Sequence, residues 1–221
     1  MAASIVTVVN QKGGAGKTML AMQLAGTVAR RGEKVLVVDA DPQGTATRWS
    51  ASAPEERPFP AAVSGLSNAG GRVHLEVRKF VDDYHLIIID CPPAIDSPAP
   101  ESALLIADMA LVPVRPLPAE LWASVGIRKM VERQQTLNEG LTVRIVVSDL
   151  EPRTRLARSV MDNLSAFGIP LMQTILHHRV AYPESMILGG TVHNLGSAAK
   201  PAIEEVEALT DEVLELLREE D

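Results

Sequence analysis

A single cysteine in 221 residues has no partner within the chain, so Cys91 excludes an internal disulfide and fits a reducing compartment. Aromatics are also scarce, at 3%, and the core must rest on Val, Ile, Leu, Ala and Met. Long apolar runs are missing. The longest are strand-sized pieces such as LIIID, far below the roughly 18 residues a membrane span needs. The opening MAASIVTVVN lacks the basic region of a signal peptide. What remains is the composition of an ordinary soluble globular chain, 46% hydrophobic and 22% charged.

Charge is unevenly placed. Residues 204–221 hold nine acids and one arginine, a sum of −8 against a chain total of −7, which leaves the rest near +1. A nucleic-acid surface outside that tail is therefore not excluded.

Strand and helix patterns alternate from the start. SIVTVV (4–9), KVLVVDA (34–40), HLIIIDC (85–91), MALVPVR (109–115), TVRIVVSD (142–149) and PLMQTIL (170–176) read as strands. Their near-continuous apolar runs suit a parallel sheet covered on both faces. Helical stretches lie between them, from Lys17 to Arg31, at 119–138 and 154–167, with a last helix at 199–218. Residues 51–72, rich in Pro, Ala, Ser and Gly, read as an irregular surface segment with one short strand near Phe59–Ser64. The alternation predicts one α/β domain over residues 1–221: a doubly wound, mostly parallel sheet flanked by helices, with ligand at the carboxyl ends of its strands.

The first strand runs into VVNQKGGAGKTML, residues 8–20. Gly16, Lys17 and Thr18 match the second half of the phosphate-loop template G-x-x-x-x-G-K-[ST], but Gln11 stands where its first glycine belongs and a second lysine, Lys12, follows. A strand, a glycine turn and a helix beginning at Lys17 make an anion site, because backbone N–H groups and the helix dipole face a phosphate. Gly13, Gly14 and Gly16 allow close approach; Lys17 would reach the β- and γ-phosphates, and the Thr18 hydroxyl would bind Mg²⁺. A glycine-rich turn without a ligand is the plainer alternative. Later acids weigh against it.

VVDADPQGT ends a strand with Asp39 and Asp41, and LIIIDCPP ends another with Asp90, the pattern of a Walker B aspartate. Mg²⁺ keeps several waters, so one aspartate acting through water suffices. Asp39 suits a structural role. Asp41 projects beyond the strand, where it could orient an attacking water or meet the metal through water, although DPQG is also an ordinary turn.

The string Lys12-Gly13-Gly14-Ala15-Gly16-Lys17-Thr18 resembles the deviant Walker A motif K-G-G-x-G-K-[ST] of the ParA/MinD family of P-loop ATPases. DADPQGT resembles that family's switch I, and DCPP its Walker B and switch II. The resemblance implies ATP and Mg²⁺ bound at Lys12 to Met19, with Lys12, Lys17 and Asp41 catalytic. It also implies a homodimer that sandwiches ATP, in which Lys12 reaches the phosphates of the other subunit, like an arginine finger in trans. Met19 departs from the pattern. Relatives often carry a second Thr or Ser there that helps hold the α-phosphate, so looser nucleotide binding is implied.

Within the family, the nitrogenase iron protein needs two cysteines per subunit and is excluded. MinD ends in a basic amphipathic helix, whereas EEVEALTDEVLELLREED has an acidic polar face that anionic lipid would repel, so no membrane partner is expected. The glycine loop begins too early for an N-terminal helix-turn-helix domain. The chain thus resembles the short, ParF-like ParA proteins, and RVAYPESMILGGTVHN (179–194) resembles a stretch found in them before the last helix.

That resemblance implies a slow cytoplasmic, nucleoid-associated ATPase for plasmid or chromosome partition. Its ATP dimer would bind DNA non-specifically, and a ParB/ParG-like adaptor would stimulate hydrolysis. Such binding needs clustered basic side chains that meet phosphates. Arg153, Arg155 and Arg158 are the first candidates, with Arg179 and Lys200; Arg128, Lys129 and Arg133 form a further group. A solvated helix face is the bland reading of each group. Two alternatives stand: positioning of a protein cargo, such as a microcompartment or chemosensory cluster, through a cargo adaptor; and a P-loop biosynthetic synthetase of the dethiobiotin or cobyrinate type.

Overall fold

A computed structural model describes residues 2–93, 97–151, 164 and 168–219, with the backbone alone for 118–125. Six strands form one sheet: β1 (Ser4–Val8), β2 (Val35–Asp39), β3 (Ala62–Gly65), β4 (Leu86–Asp90), β5 (Met109–Val114) and β6 (Thr142–Val147). Their spatial order is β3-β2-β4-β1-β5-β6, and every pairing is parallel. Val8 lies beside Asp90, and Asp39 beside Asp90 on the other side. The register thus brings the glycine loop, the Asp39–Asp41 turn and Asp90 to one end of the sheet. The chain leaves β1 toward β2 and leaves β4 toward β5, in opposite directions, which opens a crevice at their carboxyl ends.

The strands are apolar throughout because both faces are covered. Ile87 and Ile89 point into a core with α3 (Val73–Val77), α4 (Ala99–Leu104) and α5 (Pro118–Gln135). Ile88, with Val6, Val8 and Val37, joins α1 (Lys17–Arg30), α2 (Thr45–Ala51) and α7 (Lys200–Arg218) on the opposite face. Each such buried Ile or Leu contributes roughly 1.5–3 kcal/mol. The short strand expected near Phe59–Ser64 is β3, at the sheet edge.

The strand expected at 170–176 is not continuous. Only isolated bridges join Leu171 to Ile145 and His177 to Leu150. Between them the amides of Gln173 and Thr174 turn away from β6 and donate to the Glu212 carboxylate, at 2.6 and 3.0 Å. Backbone bonds to β6 remain on either side, from the Met172 amide to the Ile145 carbonyl at 2.8 Å and from the Leu176 amide to the Val147 carbonyl at 2.9 Å, so a side chain on α7 interrupts the ladder. The helix expected at 154–167 lies outside the described residues, apart from Leu164.

Other acids of α7 also bond the chain's own groups. Arg31 donates to Glu207 and to Asp211, and His193 Nε2 lies 2.8 Å from Glu207. Glu205 accepts from Arg179 Nη2 at 2.6 Å and from the Tyr182 hydroxyl at 3.0 Å, and it contacts His177 Nδ1 at 2.8 Å. Burial pushes the Glu205 carboxyl up, but the hydrogen bonds from Arg179, His177 and Tyr182 outweigh it and hold it below its ordinary value. Much of the acidic face read from the sequence is a set of fasteners for Arg31 and for residues 173–193.

Candidate phosphate and metal site

The loop between β1 and α1 is pinned from below. Asn10 Nδ2 donates to the Pro113 carbonyl at 2.7 Å, and Asn10 Oδ1 accepts the Lys12 amide at 3.2 Å. Gln11, in place of the template's first glycine, lies across α5. A Cβ on Gly126 would come within 2.2 Å of the Gln11 amide nitrogen. The substitution is therefore a packing contact, not a damaged loop. Gly14 and Gly16 adopt φ of +74 and +89, which a side chain would strain. Gly16 caps α1, whose first turn carries no acid, so the positive end of the helix faces the loop. Lys17 is buried, and its ammonium donates to the Lys12 carbonyl at 3.0 Å.

The Thr18 hydroxyl donates to Asp90 Oδ2 at 2.6 Å. Asp90 is fully buried, and its Oδ1 has no hydrogen-bond partner. Burial pushes this carboxyl up to about 7, opposed by the Thr18 hydrogen bond; Asp39 and Asp41 raise it further and Lys17 lowers it. An orphaned carboxylate oxygen beside a threonine hydroxyl fits a hard cation. Mg²⁺ keeps several waters and needs few protein ligands, so these two side chains would suffice for it; among the described residues no group of three His, Cys, Asp or Glu gathers.

Asp39 and Asp41 have different surroundings. Asp39 Oδ2 accepts both the amide and the hydroxyl of Thr47, at 2.8 and 2.9 Å, so this acid holds the start of α2. Asp41 Oδ1 accepts the Gln43 amide at 2.8 Å in a tight turn that Gly44 closes at φ +60. Its side chain remains partly exposed at the rim of a cavity of about 410 Å³, whose lining includes Gly13, Lys17, Thr18 and Pro93.

A second cavity of about 310 Å³ adjoins the loop on its other side, and Met19 lines both. Its wall includes Gly14, Ser148, Asp149, His178 and Pro183. Ser148 Oγ is buried without a partner. Asp149 holds a φ of +57, and its carboxylate meets His178 Nδ1 at 2.5 Å, a contact that raises the His178 pKa. His178 was not singled out by sequence reasoning, whereas Ser148 falls within Val147–Glu151, a segment that the family resemblance sets near the nucleotide base. For His178 the one available signal was that its segment follows β6, at the sheet edge that faces the loop.

The candidate DNA contacts are described only in part. Arg153, Arg155 and Arg158 lie outside the described residues. Arg179 is bound to Glu205, while Lys200 is exposed with Glu204 at 3.7 Å. Arg128 pairs with Glu132 and Arg133 with Glu101. No helix among the described residues is long and apolar enough to cross a membrane.

The comparisons agree with this geometry. The chain is 29% identical over 209 residues to the maintenance of carboxysome distribution protein A of Halothiobacillus neapolitanus, covering 95% of each. It is 30% identical over 245 residues to the chromosome-partitioning ATPase Soj of Thermus thermophilus, covering 97% of this chain and 96% of that one. Its fold is similar to that of apo McdA from Cyanothece, with a TM-score of 0.78 at 19% identity over 94% of this chain and 99% of that one. Residues 6–192 match the CobQ/CobB/MinD/ParA nucleotide binding domain, and the chain belongs to that ParA/MinD-type family.

Proposed function

We propose that the whole chain works as one Mg²⁺-dependent ATPase domain whose ATP state is a switch. The observation that carries this is the convergence of Lys17, Thr18, Asp90 and Asp41 around one crevice. ATP phosphates fit the Gly13–Thr18 cradle, and the base and sugar fit the cavity beside Ser148 and Asp149. Thr18 and, through water, Asp90 would hold Mg²⁺, which supplies charge neutralisation at the phosphates. Asp41 stands where a water can be oriented for attack, with Lys17 offsetting charge.

Two ATP-filled subunits closing face to face would bring together a large negative charge, and Lys12 offered from each side offsets it. In this reading the closed homodimer binds DNA through phosphate contacts. An adaptor of the ParB/ParG type stimulates hydrolysis, and the cycle partitions a plasmid or chromosome from the cytoplasm, on the nucleoid. The full-length match to a carboxysome distribution protein favours a second reading, in which the same cycle spaces a protein cargo. A P-loop synthetase shares the family, but it has no use for a lysine at position 12.

Filter binding with random-sequence duplex DNA tests the shared core of both readings. Retention should require ATP with Mg²⁺, fail with ADP, and fall steeply with salt. Nucleotide-independent retention, or turnover that responds only to a small-molecule substrate, contradicts it.

A further inference from the structure

Residues 189–192 join the elements that surround the crevice. The Gly190 carbonyl accepts the indole N–H of Trp49 at 2.9 Å, a buried bond between residues 141 apart in sequence. Gly189, at φ +64, presses on the end of α2: a Cβ there would sit 2.2 Å from the Ala53 nitrogen. A Cβ on Gly26 of α1 would meet the Thr191 methyl at 2.3 Å. The Val192 amide donates at 3.0 Å to buried Gln23, whose amide nitrogen donates to Ser185 at 2.7 Å. Four consecutive residues thus hold both the helix after the phosphate loop and the helix after Asp41.

The same segment continues backward through the short helix α6 (Ala181–Ile187) to His177, His178, Arg179 and Tyr182, which line the second cavity. Forward from the indole, Trp49 stands two residues beyond Thr47, the residue bound to Asp39. Helix α2 is seven residues long, and Ala46 and Trp49 are its buried side chains. Its placement therefore depends heavily on the indole.

We propose that Trp49 is a positioning residue: through Gly190 it sets α2, and the Asp41 turn that leads into it, according to whether a nucleotide base fills the cavity beside Ser148. This deepens the ATPase reading and rests on it. A base seated against 177–183 shifts α6 and the glycine pair, the indole N–H follows its carbonyl, and the turn before α2 moves with it. A base that fails to seat leaves Asp41 out of register for hydrolysis, so turnover is tied to the right nucleotide.

Trp49 and Trp122 are the two tryptophans, so Trp122→Phe leaves one indole as a reporter. In that variant, a non-hydrolysable ATP analogue with Mg²⁺ should shift Trp49 emission in parallel with binding. Tripolyphosphate with Mg²⁺, which lacks the base, should leave the emission unchanged. Trp49→Phe keeps a ring and removes the donor; kcat should fall by about tenfold or more, with KM within about twofold and a cooperative melt retained. Emission unmoved at saturating analogue overturns the proposal, as does wild-type kcat in Trp49→Phe or a loss of kcat that merely tracks lost folded protein. Those results leave the ATPase reading standing. Failure of the wild-type chain to bind the analogue at all overturns both.

Discussion

The Thr18 hydroxyl and Asp90 Oδ2 meet at 2.6 Å across 72 positions of sequence, tying the first turn of α1 to the end of β4. The partner oxygen, Oδ1, is buried without a hydrogen bond. That asymmetry suits a cation: burial raises this carboxyl to about 7, and a positive charge beside it would favour the ionised form.

Asp90→Asn should therefore remove most of the benefit of Mg²⁺. Titration of a fluorescent ATP analogue should show Mg²⁺ tightening binding in the wild type and a loss of about 10- to 100-fold in that effect in the variant. In EDTA the two proteins should bind alike. Equal stimulation by Mg²⁺ in both contradicts the assignment.

Asp41→Ala should spare binding and remove turnover. Asp39, not Asp41, carries the Thr47 contact that starts α2, so the fold should tolerate the change. Loss of a water-orienting carboxylate typically costs about 10²- to 10⁴-fold in rate. Phosphate release under saturating ATP measures it, and undiminished turnover removes the role.

Met19→Thr should tighten nucleotide binding. Met19 borders both cavities, and a hydroxyl there adds one hydrogen bond to a phosphate oxygen. At about 1 kcal/mol net, the gain is roughly fivefold in Kd. Calorimetric titration with ATP and Mg²⁺ checks this; unchanged or weaker affinity contradicts it.

Glu205→Ala should destabilise the chain by about 2–4 kcal/mol at neutral pH, since charged hydrogen bonds to Arg179, His177 and Tyr182 go with it. The sign of the pH dependence follows from its lowered pKa. A carboxyl held below its unfolded value stabilises at pH above that value, and the stabilisation is lost as pH falls through the folded pKa. Urea midpoints for wild type and variant should thus differ most at pH 6–7, and the gap should narrow as pH falls below the ordinary carboxyl value and through the lowered folded one. A gap that does not change with pH contradicts a carboxylate-based fastener.

The crevice was legible because its parts announce themselves locally. A glycine turn before Lys17-Thr18 and apolar runs closed by Asp39 and Asp90 are short-range patterns, and the parallel register that joins them follows from the alternation of elements. Contacts between distant positions were not legible. Nothing near Gln11 points to Gly126, and nothing near Trp49 points to Gly190. The expected strand at 170–176 is interrupted for the same reason: PLMQTIL has strand composition and pairs with β6 at its ends, but Glu212, some 40 positions onward, captures two of its amides. The acids of α7 read only as an acidic polar face, because their partners Arg31, His177 and Arg179 arrive only through the fold.

The central claim is that Lys12 makes this loop a device for two subunits, and size-exclusion chromatography with multi-angle light scattering tests it most directly. Wild-type protein with ATP and Mg²⁺, or an Asp41→Ala variant that slows turnover, should run as a dimer, and as a monomer with ADP. Lys12→Ala should bind ATP yet remain a monomer. An ATP-dependent dimer that survives Lys12→Ala contradicts the account.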